Sequence, residues 1–158
     1  MKIVAKTDVG MVRESNQDSY TTGELPNGVA WAVVCDGMGG ASGGNVASST
    51  AVKVIAEQIT SSFRPGMSAK SIKNMMVSAI NAANISVYDI SCSNSELYGM
   101  GTTVVCAIVM EHTAYIAHAG DSRAYIVSHG ALTQLTRDHS VVQELVEHGK
   151  ITALEAKR

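Results

Sequence analysis

Val29-Ala30-Trp31-Ala32-Val33-Val34-Cys35-Asp36-Gly37-Met38-Gly39-Gly40 passes abruptly from an unbroken apolar run to an acid set among glycines. The apolar part, Val29–Cys35, has the length and β-branched content of a strand buried on both faces. The glycines after it let backbone approach a ligand closely, beside the carboxylate of Asp36. A carboxylate with exposed carbonyls is a hard oxygen donor set that suits Mg²⁺ or Mn²⁺. An Asp that caps the following helix accounts for the same residues equally well. A nucleotide cradle does not: a dinucleotide fingerprint opening at Gly37 needs glycine where Ser42 stands, and no Gly-Lys-Ser/Thr follows.

Upstream, the turn signal Pro26-Asn27-Gly28 makes Ser19–Gly23 the hairpin partner of that strand. Lys2–Lys6 is β-prone, and Thr7–Asp18 between them is a polar loop carrying Asp8, Arg13, Glu14, Asn16, Gln17 and Asp18. An Arg beside a divalent metal would grip a phosphate with two donors, but taken alone Arg13 fits a surface ion pair better. Downstream the period becomes helical. Val46, Ala51, Val54, Ile55 and Ile59 share a stripe from Asn45 until Arg64-Pro65-Gly66, and a second helix opens at Ser68 with Ile72, Met75, Met76, Ala79, Ile80, Ala83, Val87 and Ile90 on one face. After a polar loop, Ser91–Leu97, the segments Thr102–Met110, Thr113–Ala119, Arg123–Ser128 and Leu132–Leu135 predict a meander with turns at Glu111-His112, Gly120-Asp121 and His129-Gly130. Asp121 by itself reads as a structural turn residue. Ser140-x-x-Gln143 opens a short helix, and Thr152-x-x-Glu155 announces another so close to Arg158 that the chain reads as truncated.

At 158 residues and 46% hydrophobic content the chain predicts one domain, 1–158, with a real core. Twelve basic against 14 acidic residues, a formal charge of -2, exclude a nucleic-acid footprint or attraction to an anionic membrane. Cys35, Cys92 and Cys106 are odd in number and lack C-x-x-C spacing, which predicts free thiols in a reducing compartment and no zinc site. No signal-like segment occupies Met1–Asp8 and the apolar runs are too short to span a bilayer, so the expected location is the cytoplasm. His118 and His139 lie near acidic turn residues without a spacing that favours a general base. No G-x-S-x-G elbow offers a serine nucleophile.

Four segments occur in order: Thr7-Asp8-x-Gly10-x-x-Arg13-x-x-Asn16-Gln17-Asp18, Val34-Cys35-Asp36-Gly37-Met38-Gly39-Gly40, Gly101-Thr102-Thr103 and Gly120-Asp121-Ser122-Arg123-Ala124-Tyr125, with Leu135-Thr136-x-Asp138-His139-Ser140 after them. Together they resemble the bacterial metal-dependent, type 2C serine/threonine protein phosphatases. The resemblance implies an α+β fold, an α/β/β/α sandwich of two antiparallel sheets flanked by helix pairs, here lacking its C-terminal third. It implies that Asp36 bridges two Mn²⁺ or Mg²⁺ ions, that Gly37 offers a carbonyl, and that Asp18 holds metal-bound waters. Arg13 would bind the substrate phosphate, and Asp121 would serve an additional, third ion. The implied reaction is hydrolysis of phosphoserine or phosphothreonine in proteins by a metal-bridging hydroxide, opposing a serine/threonine kinase. Met38 stands where many eukaryotic relatives carry a His. The family's remaining carboxylates, in Asp-Gly and Asp-Asn motifs near its C-terminus, are not in this sequence, so weak metal occupancy and weak or no activity are expected of these 158 residues. Missing strands would also leave edges open to pairing or domain swapping with a second copy. The competing expectation is a non-catalytic module that binds phosphopeptides through Arg13 or assembles with another chain.

Overall fold

A computed structural model describes residues 1–152 and 154–157. Its regular elements are β1 (Asp18–Leu25), β2 (Val29–Met38), α1 (Gly40–Ser62), α2 (Ala69–Ser93), β3 (Gly101–Thr102), β4 (Val104–Met110), β5 (Thr113–Ala119), β6 (Tyr125–Ser128), β7 (Ala131–Gln134) and α3 (Val141–Glu147). The class is α+β, with two antiparallel sheets as expected. One sheet runs β1-β2-β4-β5 with β3 paired to the far end of β2, and β6-β7 form the other.

Alternation along the strands decides where the core sits. Val29, Trp31, Val33 and Cys35 of β2 share a face with Val104, Cys106 and Ile108 of β4, and all are buried against the helix pair. Ile55 and Ile59 of α1 and Ile72 and Met76 of α2 fill that layer with less than 2% of their surface exposed. Each such side chain contributes roughly 1.5–3 kcal/mol of burial, which makes the α1–α2–sheet layer the energetic centre of the molecule. Burial pushes the thiols of Cys35 and Cys106 up to about 12, which makes them inert core residues.

Expectation and structure differ at several places. Lys2–Lys6 forms no strand and is exposed. β-propensity measures fit to a half-buried pleated surface, and among the described residues none is offered to it. β2 is not buried along the whole of both faces, for on its other face Ala30 is buried but Val34 is 47% exposed. α1 starts at Gly40 rather than near Asn45, because close packing rather than helix propensity sets its first turn. α2 runs to Ser93, three residues into the expected loop. The long strand expected at Thr102–Met110 breaks at Thr103 into β3 and β4. The capping predictions hold in detail: Ser71 N–H donates to Ser68 Oγ at 3.2 Å, Gln143 N–H to Ser140 Oγ at 3.2 Å, and Thr152 and Glu155 bond each other reciprocally.

Candidate metal centre

In the β1–β2 ladder Asp18 stands directly opposite Asp36, which puts both carboxylates on the same face at one end of the sheet. Like charges so paired are destabilising unless something positive lies between them. The Asp36 carboxyl is held above the ordinary carboxylate range, first because the strand end shields it from water, then because the Asp18 carboxylate lies beside it, while Arg13 pulls the other way and Asp121 adds to the rise. A cavity of about 250 Å³ opens here, lined by Asp18, Asp36, Arg13, Asn16 and Gln17 together with residues of the 8–15 loop, and almost all of its surface is polar. The donor set is one that a hard divalent cation fits: two carboxylates whose repulsion it would relieve, with the Gly37 backbone adjacent. Among the described residues, however, no three His, Cys, Asp or Glu side chains converge as a metal-holding group.

The loop that brings these residues together is tied down by its own polar groups. Asp18 N–H donates to Asn16 Oδ1 at 3.0 Å, Asn16 Nδ2 donates to Thr7 Oγ1 at 2.6 Å, and Gly10 N–H donates to Asp8 Oδ1 at 2.8 Å. Gln17 is the junction. Its carbonyl accepts from Gly37 N–H at 3.1 Å and from the fully buried Ser48 Oγ at 2.7 Å, and its side-chain amide donates to the Gly40 carbonyl at 2.7 Å. A Cβ on Gly37 would overlap the Gly44 carbonyl, and one on Gly44 would overlap the Gln17 side chain. The glycines of the Asp36–Gly44 stretch therefore serve close approach between strand, loop and α1, and α1 needs no side-chain N-cap on Gly39.

Arg13 is exposed and takes part in neither of the ion pairs found among the described residues, Arg123–Asp138 and Arg137–Glu147. The surface-pair reading of Arg13 thus loses its partner, and its guanidinium faces the acidic cavity. Asp121 lies outside that cavity, in the turn after β5, close enough for its charge to raise the Asp36 carboxyl. The four candidate residues Arg13, Asp18, Asp36 and Gly37 are brought together, with Asp121 to one side. Sequence reasoning placed Gln17 and Thr103 in its motifs without reading their supporting roles, and missed Ser48 and the reach of Arg123 to Asp138 with two nitrogens at 2.8 and 2.6 Å. His118 and His139 stack with ring centroids 4.4 Å apart, the first bonded through Nε2 to the Arg137 carbonyl at 2.7 Å, which ties the 136–140 segment to the end of β5.

Residues 12–153 match the family model described as protein phosphatase 2C. A serine/threonine phosphatase of Listeria monocytogenes serotype 4b is 36% identical over 151 residues, 96% of this chain and 60% of that protein. Among solved structures, the serine/threonine phosphatase of S. agalactiae superposes with a TM-score of 0.88 at 34% identity, over 96% of this chain and 62% of that one. The catalytic domain of the phosphatase PstP in complex with two manganese ions gives a TM-score of 0.79 at 33% identity, over 96% of this chain and 61% of that one. The chain thus spans about three fifths of the length of the relatives it matches. With nearly every residue covered by the match, and the acidic sheet end lying inside it, the chain belongs to the protein phosphatase 2C family.

Proposed function

We propose that this chain carries the phosphate-binding and first metal-binding half of a metal-dependent serine/threonine protein phosphatase. The observation that carries the reading is the Asp18–Asp36 cross-strand pair with an unpaired Arg13 in one polar cavity. Asp36 and the Gly37 carbonyl would hold Mn²⁺ or Mg²⁺ directly, Asp18 would hold it through water, and Asp121 would serve a further ion at the rim. Bound metal would supply an ionised water nucleophile and offset charge on the phosphoryl oxygens. Arg13 would grip two oxygens of the phosphoserine or phosphothreonine phosphate and turn it toward Asp36. The 7–18 loop would keep Arg13 in place through its Asn16 and Asp8 bonds, so that binding costs little reorganisation. The one hydroxyl lining the cavity, Ser15, has no histidine beside it there to take its proton, which fits direct hydrolysis.

A second reading is favoured by one observation: Asp8 lines the cavity with Asp18 and Asp36, yet among the described residues no three acidic side chains come close enough to hold an ion together. Affinity for hard cations grows with carboxylate number, so these 158 residues alone would bind metal weakly and turn over slowly or not at all, while Arg13 could still hold a phosphopeptide. Manganese titration by calorimetry, run beside p-nitrophenyl phosphate hydrolysis for the wild type and Asp36→Asn, separates the two. Weak binding lost in Asp36→Asn, with turnover that requires manganese, supports the phosphatase reading. Phosphopeptide binding that needs Arg13 but neither manganese nor Asp36 supports the binding module.

A further inference from the structure

Gly101-Thr102-Thr103 supplies no donor to the acidic cavity, yet it fixes the peptide on which that cavity depends. Asp36 N–H donates to Thr103 Oγ1 at 3.0 Å, Thr103 N–H donates to the Asp36 carbonyl at 2.9 Å, and Thr102 Oγ1 donates to the same carbonyl at 2.9 Å. The break between β3 and β4 falls at Thr103, which frees its hydroxyl from sheet alternation to meet a backbone amide. That hydroxyl makes one more bond, to Ser122 Oγ at 2.6 Å. Ser122 follows Asp121 in the turn after β5. Gly120, at φ +101°, lies so close beneath that a Cβ there would come within 2.7 Å of Thr103 Cγ2.

We propose that Thr103 is a positioning residue that couples Asp36 to the turn bearing Asp121, so that the two candidate metal-binding positions are set together rather than separately. The coupling rests on reading the Asp36 site as a metal centre. Its logic is that of any outer partner of a metal ligand: the donor that orients the ligand matters for affinity although it never touches the ion. Asp36 is secured from two sides, by the Gln17 carbonyl, itself held by Ser48, accepting from the neighbouring Gly37 N–H, and by Thr103 acting on Asp36 itself. Only the Thr103 side continues to Asp121. The two parts of the side chain have separable duties, since the hydroxyl makes the bonds and the methyl packs on Gly120.

Three variants divide these duties. Thr103→Val keeps the shape and loses the hydroxyl, Thr103→Ser keeps the hydroxyl and loses the methyl, and Ser122→Ala cuts the link to Asp121 while leaving the Asp36 bonds in place. Manganese affinity is read from the free-ion electron paramagnetic resonance signal, and amide hydrogen exchange of Asp36 is followed by NMR without metal. Thr103→Val is expected to weaken manganese binding about 10-fold and to speed exchange at Asp36, with Thr103→Ser close to wild type in both. In Ser122→Ala, and in Thr103→Val, the further effect of Asp121→Asn on affinity is expected to shrink, as a double-mutant cycle reports for coupled groups. Equal manganese affinity in the Val and Ser variants, or unchanged exchange at Asp36, would overturn the coupling while leaving the metal centre standing. A folded wild type that binds no manganese at millimolar concentration would instead remove the metal centre, and the coupling with it. Should Thr103→Val fail to fold, the Ser122→Ala cycle alone decides: an undiminished Asp121→Asn effect overturns the coupling.

Discussion

Asp36 is held where its charge is unwelcome. Shielding at the strand end and the neighbouring Asp18 both favour its protonated form, so the folded protein binds that proton more tightly than the unfolded chain does. By linkage, such a group lowers stability above its folded pKa. Asp36→Asn is therefore expected to raise the melting temperature of the metal-free protein at pH 7 while abolishing manganese binding, a pair of opposite changes that calorimetry would register. Because a metal takes only the ionised carboxylate, manganese affinity should fall as pH drops through the raised pKa of Asp36. An affinity that stays flat as pH falls from 7 through the ordinary carboxylate range would contradict the placement of Asp36 in the site. Asp138 shows the reverse case. The bidentate bond from Arg123 holds its carboxyl below the ordinary range, so its stabilisation is present at neutral pH and is lost as pH falls through that low folded value. With Asp138 only 11% exposed but Arg123 48% exposed, Asp138→Asn should cost about 1 kcal/mol, measurable by urea denaturation at pH 7 and fading as pH falls through the lowered pKa of Asp138.

At the scale of elements, α1 shows how packing overrides propensity. Gly40, Gly43 and Gly44 open it although glycine is a poor helix former, and the reason is contact with β2 and the 7–18 loop rather than local preference. Gly44→Ala should improve intrinsic helix formation yet destabilise the protein by about 2 kcal/mol, because the added Cβ meets the Gln17 side chain. A Gly44→Ala variant as stable as wild type would show that α1 can shift without cost. Elements governed by short-range rules were legible in the sequence. The Ser68 cap, the apolar stripe from Ile72 to Val87, and the turns at Glu111 and His129, both now seen with positive φ, needed only neighbours along the chain. The Asp36 strand and the polar loop of Arg13 and Asp18 were legible as well, since unusual residue types cluster there. What the letters could not show was anything requiring two distant segments at once: the Asp18–Asp36 register, Ser48 reaching the Gln17 carbonyl, and Thr103 bonded to Asp36. Lys2–Lys6 failed for the same reason in reverse, since propensity spoke for a strand and no pairing surface answered.

For the molecule as a whole, the core lies on the helix side of the large sheet, and the acidic centre sits at the edge of its less covered face. Stability there is weakest where the charges repel, so the folded state and the metal are thermodynamically linked. An ion that binds the folded form alone stabilises it by RT ln(1 + [L]/Kd), which for a weak site of about 1 mM Kd and roughly 10 mM manganese is about 1.4 kcal/mol. In a protein of this size that should lift the melting temperature by roughly 3–6 °C. The same addition should leave Asp36→Asn unmoved, even though that variant starts from the higher melting temperature without metal. Crossing of the two curves as manganese is added is the expected signature, because only a site whose carboxylates cost stability when empty can produce it. If manganese raises both proteins equally, the ion binds elsewhere and Asp36 is a strand-end acid with no metal to hold.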